Sequence, residues 1–416
     1  MRRLRWKWIA VIVGAIVLAL CGAAAVFVLV RVHEGRDIFG SSSAEFSTSE
    51  IAHPRQPPGV PWPTFGYDNE HTRVGPGTLR PPFRTIWTYG NGTLIEFPPV
   101  IGYGRLYFAN NAGVLVALDA RSGKPVWKRV SGRCQASSPT LADSLVFVTY
   151  LNSPPCNAGS GRKLNGLVAS YDESSGRQRW KVRIGPSESS PVVGGGRVFV
   201  GDWNGKIYAL NEKSGRTLWS FQTGGAVKGA LTLEGNHLYA GSYDSHVYAL
   251  DARNGKELWR ASAQARLGNS GTFYSTPTAA YGRLYIGSTD GKVYSFGATS
   301  GKLIWSRSTG GYVYSSPAVW NARVYAGSYS GKFLAFDAAS GRTLWQFRAN
   351  GAISGSPTLI AGVVYFATLS GRTYALNART GRLLWTFPDG KYTPVVTDGK
   401  RVYIVGYGRV YGMVER

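Results

Sequence analysis

The segment ALDARSGKPVW, residues 117–127, recurs with small changes along most of this chain of 416 residues. An apolar strand leads into Asp119, a tight turn follows at Gly123, and a second strand carries Trp127. Two further short strands stand before each copy, and they begin after a sequence such as Ser-Ser-Pro at 137–139. Four short runs of alternating apolar residues are typical of antiparallel strands, so each copy predicts one four-stranded sheet.

The tryptophans that end the copies define the period of the repeat. Their successive spacings are 40, 53, 39, 40, 46, 40 and 40 residues. A period near 40 with four strands per unit predicts an all-β protein with the architecture of a β-propeller. We expect each of these side chains to dock on the neighbouring blade, and they are Trp87, Trp127, Trp180, Trp219, Trp259, Trp305, Trp345 and Trp385.

The two ends of the repetitive region supply the last blade. Seven complete units end at Trp127 through Trp385, and the C-terminal segment 392–416 contains three more strands. The isolated strand 83–89 has the sequence of the missing fourth strand. Because pairing the two would remove two exposed sheet edges, we predict an eight-bladed propeller over residues 61–416 in which strand 83–89 pairs with 392–416.

The polar residues of the repeat have structural explanations. An Asp or Asn heads each turn and can accept hydrogen bonds from backbone N–H groups further along. The Gly four residues before each Trp supplies a positive φ. Blade five departs from the rule, because Gly297 stands where the other blades carry the Asp or Asn. We therefore expect these residues to shape turns rather than to catalyse a reaction.

An uncharged stretch from Trp8 to Val30 stands before the repeats. Its 23 residues would span about 34 Å as a helix, enough for a bilayer core. We predict an uncleaved transmembrane signal anchor over 8–30. The alternatives are a cleaved signal peptide with its site at Ala23 and Ala25, or lipoprotein processing at Cys21, where Leu20 is a poor preceding residue.

Charge gives the orientation of this anchor. Four basic residues stand in the tail 1–7, whereas the charges that follow the anchor balance. The positive-inside rule then predicts a cytoplasmic N-terminus, and hence a single-pass protein of the cell membrane with an extracytoplasmic propeller. Residues 31–60 are rich in Ser, Pro and Gly and predict a flexible linker.

The repeat resembles that of the pyrroloquinoline-quinone (PQQ) family. The docking signature Ala-x-Asp-x-x-Ser/Thr-Gly-Lys-x-x-Trp is matched at 117–127 and recurs with drift in seven blades, and the resemblance covers residues 62–416. The family contains PQQ- and calcium-dependent alcohol and sugar dehydrogenases. It also contains cofactor-free propellers, such as BamB, the lipoprotein of the outer-membrane β-barrel assembly machinery, and sensor domains of membrane receptors.

Two departures from the dehydrogenase pattern count against an enzyme. Those enzymes usually carry adjacent cysteines against the quinone, and no Cys-Cys sequence occurs here. Their calcium ligands, Glu, Asn and Asp at the blade tops with a further Asp as base, have no recognisable counterpart. Covalent c-type haem is excluded because Cys-x-x-Cys-His is missing. We therefore predict no cofactor and no metal site, with PQQ and calcium required only if the chain is a dehydrogenase.

The mouth of the central channel is the first candidate site, because propellers bind ligands where the inner strands begin. The position three residues before the inner-strand Pro is charged in four of eight blades. Glu188 and Lys228 stand on adjacent blades, as do Lys391 and Glu96 across the closure. The ring is either two weak surface ion pairs or a polar ligand pocket. Its members are Glu96, Ala136, Glu188, Lys228, Tyr274, Tyr314, Ser354 and Lys391.

Cys134 and Cys156 form a second candidate. Cys134 precedes the inner strand of blade two, and Cys156 lies in an inserted loop, 151–165, after the second strand. These two places share one face of a propeller, so we predict a disulfide in an oxidising compartment. The disulfide-bonded loop is a candidate contact for a partner protein, and the alternative is a surface loop that binds no partner.

The net charge of +24 is the third feature. Many basic residues stand in the repeat turns, so they form a rim that either contacts an anionic surface, such as lipid headgroups or an envelope polymer, or is merely solvated. Nucleic acid is not an expected partner, since the propeller faces outward and carries no such motif. His237 and His246 have no further metal-type ligands nearby and are interpreted as surface residues.

These observations predict a membrane-anchored binding or scaffolding module for envelope proteins or ligands, without catalysis. A PQQ- and calcium-dependent alcohol or sugar dehydrogenase is the first alternative, and an extracellular ligand sensor is the second. Fold alone does not choose among them.

Overall fold

The computed structural model describes residues 2–47, 56–90, 92–154, 156, 165–264, 271–392 and 395–416. In these residues one helix, α1 (Arg2–Glu34), is followed by thirty-two strands in eight antiparallel four-stranded sheets. Within α1, Val11–Leu29 is long and apolar enough to cross a membrane, with a mean hydropathy of 2.8. The predicted all-β, eight-bladed propeller with one N-terminal apolar helix is confirmed.

Seven blades follow one another in the chain, and each runs from the channel outwards. Blade one comprises β2 (Val100–Gly102), β3 (Arg105–Ala109), β4 (Val114–Asp119) and β5 (Pro125–Val130). Blade two comprises β6 (Thr140–Ala142), β7 (Leu145–Tyr150), β8 (Gly166–Asp172) and β9 (Gln178–Ile184). Blade three comprises β10 (Val192–Gly194), β11 (Arg197–Gly201), β12 (Lys206–Asn211) and β13 (Thr217–Gln222). Blade four comprises β14 (Thr232–Glu234), β15 (His237–Gly241), β16 (His246–Asp251) and β17 (Glu257–Ser262).

The remaining blades follow the same order. Blade five comprises β18 (Thr278–Ala280), β19 (Arg283–Gly287), β20 (Lys292–Gly297) and β21 (Leu303–Ser308). Blade six comprises β22 (Ala318–Trp320), β23 (Arg323–Gly327), β24 (Lys332–Asp337) and β25 (Thr343–Arg348). Blade seven comprises β26 (Thr358–Ile360), β27 (Val363–Thr368), β28 (Arg372–Asn377) and β29 (Leu383–Phe387).

Both ends of the propeller contribute to blade eight. Its strands are β30 (Val396–Thr397), β31 (Val402–Val405), β32 (Arg409–Glu415) and, as the outer strand, β1 (Phe83–Gly90). β1 pairs antiparallel with β32, from Phe83 opposite Glu415 to Gly90 opposite Arg409. The predicted closure is therefore present, although residues 393 and 394 of the predicted C-terminal strands lie outside the described residues. The ring has no open seam, because its first and last segments share one sheet.

The repeat tryptophans join neighbouring blades. The indole Nε1 of Trp127 donates to the carbonyl of Glu173 in blade two at 2.9 Å, and its ring covers Gly176 in the same turn. Gly176 has a φ of +67°, which favours glycine, and a Cβ there would lie 2.7 Å from the indole. Both the backbone conformation and the lack of space therefore require glycine in this turn. Equivalent bonds of 2.9–3.1 Å extend from Trp180, Trp219, Trp259, Trp305 and Trp345.

Part of the predicted flexible linker is ordered against the propeller. Residues 36–47, which we call the strap, lie along the outer edge of blade five. Ile38 exchanges two backbone hydrogen bonds with Ser306 of β21, at 2.9 and 3.1 Å. The structure therefore differs from the prediction in this part of the linker. A Ser- and Gly-rich composition predicts coil, but the strap is held through backbone groups that composition does not report.

The strap also explains why blade five breaks the repeat. A Cβ at Gly297 would clash with the carboxylate atoms of Glu45, so a larger residue fits there only if the Glu45 side chain moves. The fully buried guanidinium of Arg283 donates to the carbonyls of Ser41, Ala44 and Glu45 and lies 4.9 Å from the ring of Phe46. The missing Asp of blade five therefore marks a docking place for another part of the chain.

Candidate functional site

A segment before the first blade closes one end of the central channel. Residues 60–75, which we call the plug, cross the inner strands of successive blades. The plug carbonyls of Pro63, Asn69, Glu70, Thr72 and Arg73 accept the N–H groups of Leu141, Leu233, Ala279, Val319 and Leu359, at 2.8–3.1 Å. The inner strands of a propeller leave N–H groups facing the channel, and the plug satisfies them. The other end of the channel is the mouth.

Charged groups lie deep within the plug. His71 is fully buried, and its Nε2 lies 2.8 Å from the carbonyl oxygen of Leu231. Burial, and then the charge of Arg73, lower the pKa of His71 to about 4, so the ring is neutral at pH 7. Arg73 is also fully buried, with its guanidinium 4.3 Å from the Phe65 ring, and burial lowers its pKa to about 9. The side chain of Phe65 forms the bottom of the cup at the mouth.

The structure brings most of the predicted ring together at the mouth. Glu96, Lys228, Tyr274, Tyr314 and Ser354 line one shared cup. Glu188 joins it through Lys228, with its Oε1 3.1 Å from the lysine Nζ. Lys391 lies beside it, because the next residue, Tyr392, is part of the lining. Ala136 is buried and contributes no polar group.

One of the two predicted ion pairs is present. Glu188 binds Lys228 and also accepts a hydrogen bond from the indole of Trp203 at 3.0 Å. Burial raises the pKa of Glu188, and the charge of Lys228 opposes this effect. The Lys228 ammonium lies 4.4 Å from the Trp203 ring and 5.1 Å from that of Tyr243, an arrangement that favours cation–π attraction. The pair is thus held between aromatic faces rather than at an exposed edge.

The pair expected between Lys391 and Glu96 does not form. Among the described residues, no ion pair within 4.0 Å joins these two side chains. Lys391 lies instead 4.9 Å from the ring of Tyr407, and Glu96 accepts a hydrogen bond from the amide of Asn111 at 3.2 Å. Burial raises the pKa of Glu96, and the Asn111 bond and Lys228 lower it by less. This part of the prediction fails because each group has a closer partner within its own blade, Asn111 in blade one for Glu96 and Tyr407 in blade eight for Lys391.

Sequence reasoning missed a second ring of the mouth, which is aromatic in four of the eight blades. Tyr274 and Tyr314 pack edge to face with centroids 4.9 Å apart, and Tyr329 lies 5.0 Å from Tyr314. Tyr312, Tyr329 and Tyr407 are 51%, 38% and 54% exposed. Trp203, Tyr243, Tyr329 and Tyr407 stand at one repeat position, the second residue after the second strand of a blade. Aligning the blades on that position as well as on the Pro would have found them.

The mouth is a shallow cup rather than an open pore. The space in it that is open to the centre of a water molecule is about 50 Å³. Tyrosine and tryptophan are the groups that protein interfaces favour at their centres, whereas lysine is depleted there. A larger cleft of about 410 Å³ lies on the plug side, between the plug and blades two and three, but it lacks such an aromatic array.

The mouth does not fit the cofactor pair of the quinoprotein alternative. Calcium takes six to eight oxygen ligands, usually including several carboxylates. Within the described ranges no three His, Cys, Asp or Glu side chains are close enough to share a metal ion, and Glu188 is occupied by Lys228. A tricyclic quinone needs far more room than the cup offers. We therefore assign no catalytic step to these residues.

The other two sequence features also have places in the structure. Cys134 and Cys156 form the predicted disulfide, with Cα atoms 5.5 Å apart, which is confirmed. Residues 155 and 157–164 of the loop lie outside the described residues, so its partner role stays a prediction.

The basic turn residues are exposed on the plug side of the ring, and they are Arg121, Lys124, Arg177, Lys213, Arg216, Arg253, Lys256, Arg342, Arg379 and Arg382.

Known proteins share both the sequence pattern and the fold. The family model described as "Outer membrane protein assembly factor BamB" matches residues 83–158, 164–346 and 244–414. The chain belongs to this family. The protein of that name from Nitrosomonas eutropha is 32% identical over 131 residues, which are 30% of this chain and 28% of that protein. The chain thus matches less than a third of the length of this relative.

Two solved structures show the same fold. BamB from Moraxella catarrhalis superposes with a TM-score of 0.65 at 19% identity, covering 80% of this chain and all of that one. Quinohemoprotein alcohol dehydrogenase from Comamonas testosteroni gives 0.71 at 16% identity, covering 85% of this chain and 80% of that one. At these identities the likeness concerns the fold alone, since one propeller fold serves unrelated functions.

Proposed function

We propose that this protein is a non-catalytic binding module that α1 anchors to the cell membrane and whose propeller binds envelope proteins outside the cytoplasm. Residues 1–7 would lie in the cytoplasm and residues 8–30 would span the membrane. The observation that carries the proposal is the mouth: a cup closed below by Phe65, lined by tyrosines and flanked by Lys228 and Lys391. Membership of the assembly-factor family supports an envelope protein as the partner.

The chemistry of the mouth favours recognition over catalysis. Its most buried carboxylate, Glu188, is held by Lys228 and Trp203, and Glu96 is held by Asn111. A general base would need an unengaged group within reach of a substrate proton. Exposed tyrosines, in contrast, offer large contact areas at a low entropic cost and are frequent at binding hot spots.

Photo-crosslinking in the native membrane tests this proposal. Benzoylphenylalanine at position 407 would place a reactive group at the mouth, and the matched control at position 302 would place it on a turn at the opposite face. We expect a defined protein adduct from position 407 only, at least fivefold weaker when Lys228→Met is added. Equal adducts from both positions would contradict a mouth-specific partner.

The dehydrogenase alternative has its own measurement. The purified full-length protein is titrated with PQQ and calcium while tryptophan fluorescence is followed, and it is then assayed for dye reduction with alcohols and sugars. We expect neither saturable quenching nor turnover. Calcium-dependent quenching at micromolar PQQ, with dye reduction, would replace the binding module with an enzyme.

A further inference from the structure

The strap begins at the mouth side of blade five. Asp37 Oδ1 accepts the backbone N–H of Ser308, the last residue of β21, at 2.8 Å. The carbonyl of Arg36 accepts from the buried ammonium of Lys292, opposite Ser308 in the neighbouring strand, at 2.7 Å. Both contacts lie at the end of the blade from which the chain continues into the mouth. The first ordered residues after α1 are therefore fixed at the mouth-side rim.

The far end of the strap is fixed at the opposite face. Gly40 donates to the carbonyl of Ser340 at 3.0 Å, and Ser47 donates to that of Tyr281 at 3.0 Å. Phe46 stacks on Tyr281 with ring centroids 5.3 Å apart. Because Arg283 binds three strap carbonyls between these points, the strap cannot slide along the blade without breaking several hydrogen bonds.

Few residues separate this rim from the membrane. The apolar part of α1 ends at Leu29 and the helix ends at Glu34, about 7.5 Å further at 1.5 Å per residue. Three residues lead from Glu34 to Asp37 and span about 10 Å at most. The headgroup layer is itself roughly 5–8 Å thick on each side of the hydrocarbon core. The docked end of the strap thus lies within about 10–15 Å of the membrane surface.

Exposed aromatic side chains follow this point along the chain and in the neighbouring blade. Tyr312 follows Ser308 by four residues and is 51% exposed, and Tyr329 of the adjacent hairpin is 38% exposed. Tyrosine is enriched where proteins meet the headgroup layer, because its ring is apolar and its hydroxyl is polar.

We propose that the strap holds the mouth-side rim of blades five and six against the membrane, with Tyr312 and Tyr329 among the lipid headgroups. This inference rests on the proposed function in one respect, since it requires α1 to remain uncleaved. The cup then opens along the bilayer surface, where it meets envelope proteins as they emerge from the membrane. The basic turns on the plug side point away from the lipid.

Lipid-quencher mapping of the full-length protein in nanodiscs tests the orientation. A fluorophore is attached to Ser308→Cys, Val130→Cys or Lys302→Cys in a Cys21→Ser background. Ser308 and Val130 end the outer strands of opposite blades at the same face, whereas Lys302 lies at the other end of blade five. Bilayers of phosphatidylcholine and phosphatidylglycerol carry a nitroxide on the headgroup. We expect quenching at position 308 to be at least twofold stronger than at 130 or 302.

A longer connector supplies the matched control. Ten Gly and Ser residues inserted between Glu34 and Gly35 leave the strap contacts intact but allow about 17 Å more reach. Quenching at position 308 should then fall toward that at position 130. Equal quenching at all three positions, or an insertion without effect, would overturn the inference. The mass of the purified chain separates the two proposals. A chain that has lost α1 would contradict the membrane anchor of the proposed function. An intact chain with equal quenching at all three positions would contradict only the orientation inferred here.

Discussion

The two ends of the central channel are closed in different ways. At one end the backbone of the plug pairs with the inner strands, and its side chains are buried, as Trp62 and His71 are. At the mouth, side chains alone fill the cup, and several tyrosines remain exposed. Backbone pairing makes the plug end a structural element, whereas the mouth can change its side chains without loss of fold. This difference predicts where substitutions destabilise and where they alter binding.

Substitution of a plug residue should have the largest effect. Trp62 is 1% exposed, and Trp62→Ala should lower the free energy of unfolding by about 3–5 kcal/mol through lost contacts and a cavity. The matched change at the mouth, Tyr407→Ala, removes a half-exposed ring and should cost less than about 1 kcal/mol. Urea unfolding followed by tryptophan fluorescence measures both. Similar losses would show that the mouth is as structural as the plug.

The disulfide at the mouth side should rank next. Cys134 and Cys156 are 22 residues apart, and a loop of that length gives about 3 kcal/mol on the chain-entropy model. Cys156→Ser should lower the unfolding free energy by that amount under oxidising conditions. Cys21→Ser, the control, should leave the propeller unchanged, because Cys21 is a free cysteine on α1. Unchanged stability in Cys156→Ser would mean that the loop is not constrained by the bond in solution.

Blade five offers a comparison with its own neighbours. Gly297→Asp restores the repeat residue but places a carboxylate against Glu45, so the strap should detach and the unfolding free energy should fall by about 1–3 kcal/mol. Hydrogen exchange of residues 36–47 should rise in this variant. Adding Glu45→Ala should recover part of the loss. If exchange stays low in Gly297→Asp, the carboxylate contact does not control docking.

The repeat explains why the blades could be predicted and the strap and plug could not. The Trp spacing and the turn residues determine four strands per unit, and Trp127 docks on the next turn as the pattern implies. Much of the contact between the plug or strap and the blades is made by backbone groups, for which side-chain identity carries little information. Gly297 was visible as an exception, but its reason, Glu45, stands about 250 residues away in sequence. Two repeat positions supply the side chains of the mouth. The position three residues before the inner-strand Pro was predicted from the sequence, and the position after the second strand was not.

Acid should weaken the plug. The pKa of His71 lies at about 4 in the folded protein, below its ordinary value of 6.5, because burial disfavours the charged ring. A depressed pKa contributes stability above pH 6.5 that is lost as the pH falls toward 4, by at most about 1.4 kcal/mol per pH unit. Asn tolerates the positive φ of 58° at this position, so His71→Asn should flatten the slope. Unfolding at several pH values between 7 and 4.5 measures it, and an unchanged slope in the variant would assign the titration elsewhere.

The mouth should respond to pH in the opposite sense, with the smallest effect. Burial raises the pKa of Glu96 above its ordinary value of 4.5, so the group stabilises the fold at low pH and this contribution is lost as the pH rises through the folded pKa. Glu96→Gln keeps the shape and removes the charge. It should slightly raise the unfolding free energy at pH 7 and have no effect at pH 4. Ser354→Ala, at the equivalent position of blade seven, should show no pH dependence of its own. A loss of stability in Glu96→Gln at pH 7 would mean that the ionised carboxylate is held favourably by Asn111 and Lys228, and that both ends of the channel then weaken in acid.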